Sequence, residues 1–196
     1  MKNYLTRIVF AVICMLLVVA FIAGCRPQRM TFDHTYNVRE KPEYETDITP
    51  GLYCLSATGG EGLFHLVEPA GSYDDLVRSH RFLSRAWVEV RANETLKFNN
   101  AKIESQDERQ KLGCFPTRLR NGFFLIGFDL FPGKLKIRPR TDQDEADWIC
   151  EVYADAHDLS AGPLRRYDYK DTWVDIIVEE DEFLHLWGAE VYVPPM

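Results

Sequence analysis

Asp47-Ile-Thr-Pro-Gly51-Leu-Tyr-Cys-Leu55 decides the fold, because Asp129-Leu-Phe-Pro-Gly133-Lys-Leu-Lys-Ile137 repeats its pattern 82 residues later. In each stretch a Pro-Gly pair, which favours a turn, leads into side chains that alternate between apolar and more polar. An alternation with a period of two is typical of a strand that has one buried face and one wetter face. The two stretches therefore predict two equivalent strands, each entered through a turn.

Two further matches follow in the same order. Trp87-Val-Glu-Val90 resembles Trp173-Val-Asp-Ile176 at an offset of 86, and residues 96–103 resemble residues 184–191 at an offset of 88. Three collinear matches predict two copies of one unit. We place β repeats at residues 43–105 and 122–196, joined by a connector at 106–121, and they form either two small domains or one pseudo-symmetric β structure.

The matched segments are short, rich in β-branched and aromatic residues, and separated by turn residues. Ser72-Tyr-Asp-Asp75 resembles a helix cap, which predicts one short helix over Asp74–Phe82. The sequence therefore predicts an all-β, mainly antiparallel fold of two tandem sandwich- or barrel-like repeats with one short helix. The predicted strands are Leu52–Ala57, Leu63–Val67, Trp87–Arg91, Thr95–Phe98, Phe123–Ile126, Lys134–Arg138, Trp148–Tyr153, Thr172–Val178, Glu182–Leu186 and Ala189–Val193.

The N-terminus has the composition of an export signal. Met1–Arg7 carries two positive charges and no negative one, and Ile8–Gly24 carries no charge at all. A basic start, a short apolar run and small residues at its end predict a signal peptide over residues 1–24. The apolar run is short for a membrane-spanning helix, which needs about 20 residues.

Ile22-Ala23-Gly24-Cys25 resembles the lipobox of bacterial lipoproteins. The resemblance implies that Cys25 carries lipid, that the chain is cut just before it, and that the protein is anchored on the extracytoplasmic face of the cell membrane or outer membrane. Residues 25–42 are polar without an apolar period, which predicts a lipid-anchored tether. The alternative is an uncleaved N-terminal anchor helix in which Cys25 is incidental.

The repeated pattern resembles a small β domain of secreted and lipid-anchored bacterial proteins. The shared features are Asp-(Ile/Leu)-x-Pro-Gly, a hairpin, an aromatic-Val-x-Val strand and a second hairpin. The chain departs from that pattern at Glu45, where Gly is usual, and at the later turn, where Asn93-Glu94 or Glu180-Asp181 replaces Asp-Gly. The resemblance implies a fold and a location, and it brings no catalytic residue, cofactor or substrate.

The charge of the chain excludes one class of partner. The formal net charge is −7 at pH 7. A nucleic-acid-binding protein needs a basic face to meet phosphates, so we expect no nucleic-acid partner.

The cysteines allow one predicted disulfide. Cys54, Cys114 and Cys150 would remain in the mature chain, an odd number for an oxidising compartment. Cys54 alternates with core positions and should point away from the core, and Cys114 lies in the connector that could cross that outer face. We predict a Cys54–Cys114 bridge with Cys150 free; the alternative is three reduced thiols.

The usual signatures of catalysis and metal binding are missing from the sequence. The acidic run Asp142–Asp147 lacks the spacing of an EF-hand, and it is predicted to be a solvated hairpin tip, as is Glu179–Glu182. The five histidines show no metal-ligand spacing, and no Gly-x-Ser-x-Gly elbow occurs. We therefore expect no catalytic residue, no metal and no cofactor.

Three tryptophans are weak candidates for ligand binding. Trp87, Trp173 and Trp187 could line a glycan-binding face, although cross-strand packing is the more ordinary role.

Three hypotheses follow: a non-enzymatic, lipid-anchored envelope protein that binds an envelope protein or glycan or gives structural support; a solute- or glycan-binding lipoprotein with its site between the repeats; and a hydrolase assembled from distant residues. A flat aromatic patch would favour the first, and a deep polar pocket between the repeats the second.

Overall fold

The computed structural model describes residues 31–68, 75–112, 119–140, 148–168 and 173–192. These residues form strands and one short helix, so the fold is all-β, as predicted. In chain order the elements are β1 His34–Val38, β2 Asp47–Ile48, β3 Gly51–Ala57, β4 Gly62–Val67, β5 Leu76–Phe82, β6 Arg85–Val90, β7 Thr95–Asn99, β8 Ala101–Ser105, α1 Gln106–Leu112, β9 Arg120–Leu125, β10 Gly133–Pro139, β11 Ile149–Tyr153, β12 Arg165–Arg166, β13 Val174–Val178 and β14 Phe183–Tyr192.

The strands form two sheets. A five-stranded sheet has the order β2-β1-β7-β4-β5, and a nine-stranded sheet runs β12-β11-β14-β9-β6-β3-β8 with β10 on β14 and β13 on β10. The pairs β1·β2 and β6·β9 are parallel and the other strand pairs are antiparallel. The sheets are therefore mixed and only mainly antiparallel.

The strand pairings of β1–β8, the first half, have counterparts in β9–β14, the second half. The pairs β1·β7, β3·β6, β3·β8, β4·β5 and β4·β7 correspond to β9·β14, β10·β13, β10·β14, β11·β12 and β11·β14. The register agrees as well, because Leu55 faces Ile103 where Ile137 faces Val191. That the halves are copies of one unit stays a prediction.

One tight turn recurs with the same chemistry in both halves. Asn93 has φ 71° and Asp181 has φ 66°, left-handed conformations that short polar side chains tolerate best. The carboxylates of Glu94 and Glu182, each one residue later, accept hydrogen bonds from backbone N–H groups three residues earlier, at 2.6 Å and 2.7 Å. Both turns therefore close through a glutamate.

The strand register corrects one of the sequence matches. Gly51 faces Val90 in β3·β6, and Gly133 faces Val178 in β10·β13, so these two valines occupy corresponding positions. The match of Trp87 with Trp173 is therefore displaced by two residues. A shift of two positions leaves every side chain on the same face of a strand, so the sequence pattern could not reveal it.

Two clusters of buried side chains form the core. Phe123 and Leu125 of β9 lie in the first cluster, which is otherwise built mostly from the first half. Phe124 and Ile126 point to the other side and lie in the second cluster, which belongs to the second half. Successive side chains of a strand point to opposite faces, so β9 joins the two cores.

The corresponding face of the first half is polar. By strand register, Phe123 and Leu125 of β9 correspond to Thr35 and Asn37 of β1. Neither Thr35 nor Asn37 is buried. The second half thus packs an apolar face of β9 against the first half. The corresponding face of β1 is polar and is not buried.

Three local predictions need correction. His34–Val38, within the predicted tether, forms β1; only its last residue is buried, so no apolar period marked it. Leu76–Phe82 forms β5 instead of a helix, with alternate residues buried; Asp74 lies outside the described residues. The two strands predicted around Gly188 are one strand, β14, whose pairing with β9 shifts register between Leu186 and Glu190.

The connector contains the helix α1, which sequence reasoning missed. Ser105 and Glu108 form a capping box at its start: the Ser105 backbone N–H donates to Glu108 Oε2 at 2.8 Å, and the Glu108 N–H donates to Ser105 Oγ at 3.3 Å.

Among the described residues, the structure contains no helix that is both long and apolar enough to cross a membrane.

The cysteines Cys54 and Cys150 are both buried, and they are not bonded to each other. Burial raises the pKa of each thiol to about 12, so both are neutral at physiological pH. Cys114 lies outside the described residues, and its bridge to Cys54 stays a prediction.

Candidate functional site

The outer side of β10, β13 and β14 carries exposed apolar side chains beside positive charges. We call it the basic aromatic face. Strand pairing places its members on one side of the sheet, because Lys134 faces Ile177, Lys136 faces Asp175 and Tyr192, and Arg138 faces Glu190. The members are Lys134, Lys136, Arg138, Trp173, Asp175, Ile177, Glu190 and Tyr192.

Two aromatic rings lie at the centre of the basic aromatic face. Trp173 is 44% exposed and Tyr192 is 46% exposed. Their rings meet edge to face at 5.1 Å between centroids, and the Arg138 guanidinium lies 5.3 Å from the centroid of the Trp173 ring. Arg138 also pairs with Glu190. The indole is thus held between a cation and a second ring, an arrangement that fixes its orientation while leaving its surface open.

The rest of the face combines an aliphatic side chain with lysines. Ile177 is 62% exposed, and it faces Lys134 across the strand pair. Lys134 Nζ lies 2.6 Å from Asp175 Oδ2. Lys136 is exposed and has no ion pair among the described residues. Three cations and two carboxylates leave the face basic in a chain of net charge −7.

In the first half, the positions that correspond to the basic aromatic face are covered by other parts of the chain. Lys136, Asp175 and Tyr192 are cross-strand neighbours at the positions that Cys54, Trp87 and Glu104 occupy in the first half. Those three first-half residues are all buried. Helix α1 packs near β3 and β8, and the second half covers the Trp87 indole. Among the described residues, the second half has no such cover.

The strand β13 also leaves a sheet edge open. Among the described strands it pairs only with β10, whereas the corresponding strand β6 pairs with β3 on one side and with β9 on the other. The free backbone groups of an edge strand can pair with another chain. Among the described residues, the basic aromatic face therefore ends at an edge strand.

The three candidate tryptophans are not brought together. Trp173 lies on the basic aromatic face. Trp87 is fully buried and its indole N–H donates to Asp129 Oδ2 at 2.6 Å, an environment that fits the packing alternative. Trp187 is half-buried, with the Arg81 guanidinium 5.4 Å from its ring centroid.

A second candidate site lies where β5 of the first half meets β9, β11 and β14 of the second. We call it the seam cluster, and its members are Arg78, His80, Phe123, Glu151, Tyr153 and His185. The Arg78 guanidinium lies 4.2 Å from the centroid of the Phe123 ring and donates to the backbone oxygens of Trp87 and Ala156. Burial lowers the pKa of Arg78 to about 9. Among the described residues no carboxylate lies within 4 Å of it.

Two histidines of the seam cluster are in direct contact. The rings of His80 and His185 lie 4.6 Å apart between centroids. Burial lowers the pKa of both imidazoles, and the nearby positive charge of Arg78 lowers it further, whereas the Glu151 carboxylate opposes the shift at His185. At neutral pH both rings are therefore uncharged.

Glu151 carries the negative charge of the seam cluster. Its neighbour His185, the Tyr153 hydroxyl at 2.6 Å and the Arg166 Nε at 2.7 Å hold its pKa at about 2, against the opposing effect of burial. Burial raises the pKa of the Tyr153 hydroxyl, and its hydrogen bond to Glu151 raises it further. Glu151 is thus a permanently ionised acceptor and not a proton carrier at neutral pH.

Unsatisfied polar atoms gather in the seam cluster. Arg78 Nε and Nη2 and His80 Nε2 are buried without a hydrogen-bond partner among the described residues. His185 Nδ1 lies 3.6 Å from Glu151 Oε2, too far for a hydrogen bond. Buried polar groups are usually paired, so these atoms mark a place where a polar molecule would be stabilised.

Other buried polar side chains have structural partners. His157 Nε2 lies 2.5 Å from Glu94 Oε1 and joins a second-half loop to the first half. Glu182 is 8% exposed and pairs with Arg165, so the prediction of a solvated acidic tip at Glu179–Glu182 is wrong for Glu182. The other acidic run, 142–147, lies outside the described residues.

Comparison with known proteins adds no relative. No family model matches the chain, and no curated protein or solved structure is significantly similar to it. Within the described part of the chain, no group of three or more His, Cys, Asp and Glu residues is arranged to hold a metal ion.

Proposed function

We propose that the protein is a lipid-anchored cell-envelope protein with a non-enzymatic binding role. Residues 1–24 direct its export, Cys25 carries the lipid, and the basic aromatic face meets the partner. The lipobox resemblance supports the anchor. The recurring strand pairings support an origin of the body as two copies of one β unit.

The proposed binding role rests on one observation: the basic aromatic face of the second half is exposed, whereas the residues at the corresponding positions of the first half are buried. Lys136, Asp175 and Tyr192 are exposed, whereas Cys54, Trp87 and Glu104 at the corresponding positions are buried. An exposed apolar patch edged by charged residues is typical of an interaction surface. An exposed sheet face of this kind suits binding to another surface better than it suits catalysis.

Metabolic labelling tests the lipid anchor. Bacteria that express the full chain are grown with an alkynyl palmitate, and the protein is isolated and examined for label. We expect label on the wild-type protein and on Cys14→Ala, and none on Cys25→Ala, because only Cys25 follows the small residues of the lipobox. Label on Cys25→Ala, or unlabelled wild type in the cytosol, would contradict the anchor.

Site-specific crosslinking tests the binding role. A photo-crosslinking amino acid replaces Ile177 on the face or, as a control, Leu76 of the first half, which is 42% exposed. We expect a defined adduct, with lipid or with protein, from position 177 and not from position 76. Equal adduct formation from both positions, or none from either, would count against the face.

A second candidate function rests on the seam cluster. The unsatisfied Arg78 and His80 atoms favour a solute or acidic glycan held between the halves. Thermal unfolding with and without added glucuronate tests it: the wild type should gain stability and Arg78→Lys should gain none, because lysine lacks the planar donors of arginine. No shift of the wild-type melting temperature by glucuronate would reject an acidic-sugar site.

A further inference from the structure

We infer that the basic aromatic face lies against the anionic headgroups of the bilayer that holds the Cys25 lipid. The inference rests on the proposed lipid anchor and names the partner of the proposed binding face.

The length of chain outside the folded body limits how far that body can stand from the membrane. β1 begins at His34, nine residues after Cys25. A fully extended segment of nine residues reaches about 30 Å. A folded chain of this size has a radius of gyration of about 15 Å, so its diameter exceeds that reach. Some face of the body is therefore always close to the bilayer.

The side chains of the basic aromatic face match the chemistry of a bilayer surface. Trp173 and Tyr192 are amphipathic rings, which favour the level of the lipid headgroups. Ile177, 62% exposed beside them, offers an aliphatic group to the acyl boundary. Lysine and arginine stems can lie along such a surface while their charges reach phosphate groups.

The basic aromatic face has a net positive charge in an acidic protein. Lys134 and Arg138 are paired with Asp175 and Glu190, and Lys136 has no ion pair among the described residues. An anionic headgroup therefore meets a face with three cations and two carboxylates, whereas the mature protein as a whole is acidic, since loss of Lys2 and Arg7 takes the formal net charge from −7 to −9.

Two other occupants fit the face less well. A second copy docked face to face would bring together two faces that each carry three cations and only two carboxylates, which like-charge repulsion disfavours. A glycan would stack on Trp173 and Tyr192 but would gain little from Ile177, which has no ring to offer. An anionic bilayer uses the aromatic, aliphatic and basic groups together.

Fluorescence quenching by lipid tests the inference on the full, lipidated protein. The protein is reconstituted into phosphatidylcholine–phosphatidylglycerol vesicles whose acyl chains carry bromine, which quenches nearby indoles. We expect quenching of the wild type, at least a two-fold smaller quenched fraction in Trp173→Phe, and wild-type quenching in the matched control Trp187→Phe. Lys134→Glu with Lys136→Glu should reduce the quenching, as should vesicles of phosphatidylcholine alone.

The result separates failure of this inference from failure of the anchor. Flotation of the protein with the vesicles reports the lipid anchor independently of fluorescence. A protein that floats but whose quenching is the same in Trp173→Phe as in the wild type overturns the inference alone. A protein adduct in place of a lipid adduct at position 177 also overturns it and leaves the binding role intact. A protein that does not float overturns both.

Discussion

At the residue scale, Asp129 shows how a buried charge joins the two halves. The Asp129 side chain is 1% exposed, and its Oδ1 lies 2.5 Å from Arg85 Nη1. Its Oδ2 accepts the Trp87 indole N–H at 2.6 Å and the Leu125 backbone N–H at 3.1 Å. The aspartate of the second Pro-Gly stretch therefore binds two side chains of the first half and one backbone group of its own.

Replacing Asp129 with alanine should destabilise the protein by about 3–5 kcal/mol, because it leaves the charge of Arg85 and the Trp87 N–H buried and unpaired. Urea unfolding at pH 7 measures the change. Asp175→Ala, which removes an exposed ion pair, is the control and should change stability little. Equal effects of the two substitutions would show that the buried Asp129 network contributes no more to the free energy of unfolding than the exposed ion pair does.

The seam histidines should make the protein sensitive to mild acid. Burial lowers the pKa of His80 and His185 from the ordinary value of 6.5, so below pH 6.5 the unfolded chain binds more protons than the folded one. Stability is therefore fully present above pH 6.5 and falls as the pH drops, by up to about 1.4 kcal/mol per pH unit for each histidine. Arg78 and Arg81 add positive charge, and Glu151 stays ionised through this range.

Urea midpoints measured between pH 7.5 and pH 5 test this acid sensitivity. We expect a shallower decline in His80→Gln than in the wild type, and a wild-type decline in His34→Gln, whose side chain is exposed. Glu151, with a pKa of about 2, contributes only below pH 4.5. Parallel curves for the wild type and His80→Gln would refute the role of His80.

Sequence reasoning found Trp173 but could not assemble the charged residues of either candidate site around a common surface. Lys134, Lys136 and Arg138 become one surface with Trp173 only once the register of β10, β13 and β14 is known. Arg78 and His80 alternate along β5 like a solvated face, and nothing local signals that the second half will cover them. The sequence pattern does not show which distant strands will cover these residues, because that depends on how the two halves pack.

At the scale of elements, strands with an apolar period were predictable and strands with a polar pattern were not. β3 and β10 start at their Pro-Gly turns as predicted. β1 was missed because a single residue of its five is buried. The helix α1 did leave a local signal, the capping box Ser105-Gln-Asp-Glu108, which lies where the first predicted repeat ends and the connector begins.

The approach of β9 to the first half depends on Gly122. A Cβ on Gly122 would lie 2.4 Å from the Arg85 backbone oxygen and 2.7 Å from the Phe124 ring. Gly122→Ala should therefore destabilise the protein by about 1–3 kcal/mol or more, because a backbone atom cannot yield as a flexible side chain can. Gly59→Ala is the matched control, since nothing lies within 4 Å of its Cβ position. Thermal unfolding compares them, and similar melting temperatures would contradict the close approach.

At the scale of the whole molecule, the two cores depend on each other through β9. Phe123 is fully buried in the first cluster, where it stacks on Phe183 at 5.4 Å between ring centroids. The first half thus completes its core with aromatic rings from the second half. Sequence comparison within the chain predicted two units, but only the three-dimensional register shows that their interiors are shared.

Phe123→Ala should lower stability by about 3–5 kcal/mol and weaken the first half as well as the second. Hydrogen exchange should show faster exchange of β3 and β4 amides, although Phe123 belongs to neither strand. Phe131→Ala, at a residue 66% exposed, should leave those amides unchanged. Unaltered exchange in β3 and β4 of Phe123→Ala would mean that the halves fold independently.

The polar outer face of β1 affects how another chain could pack against the first half. Thr35 and Asn37 stand at the positions where Phe123 and Leu125 of β9 bury their side chains in the first cluster. Neither Thr35 nor Asn37 is buried, so a neighbour docked on β1 would lack the apolar contacts that β9 provides, and this face favours water or a polar partner instead.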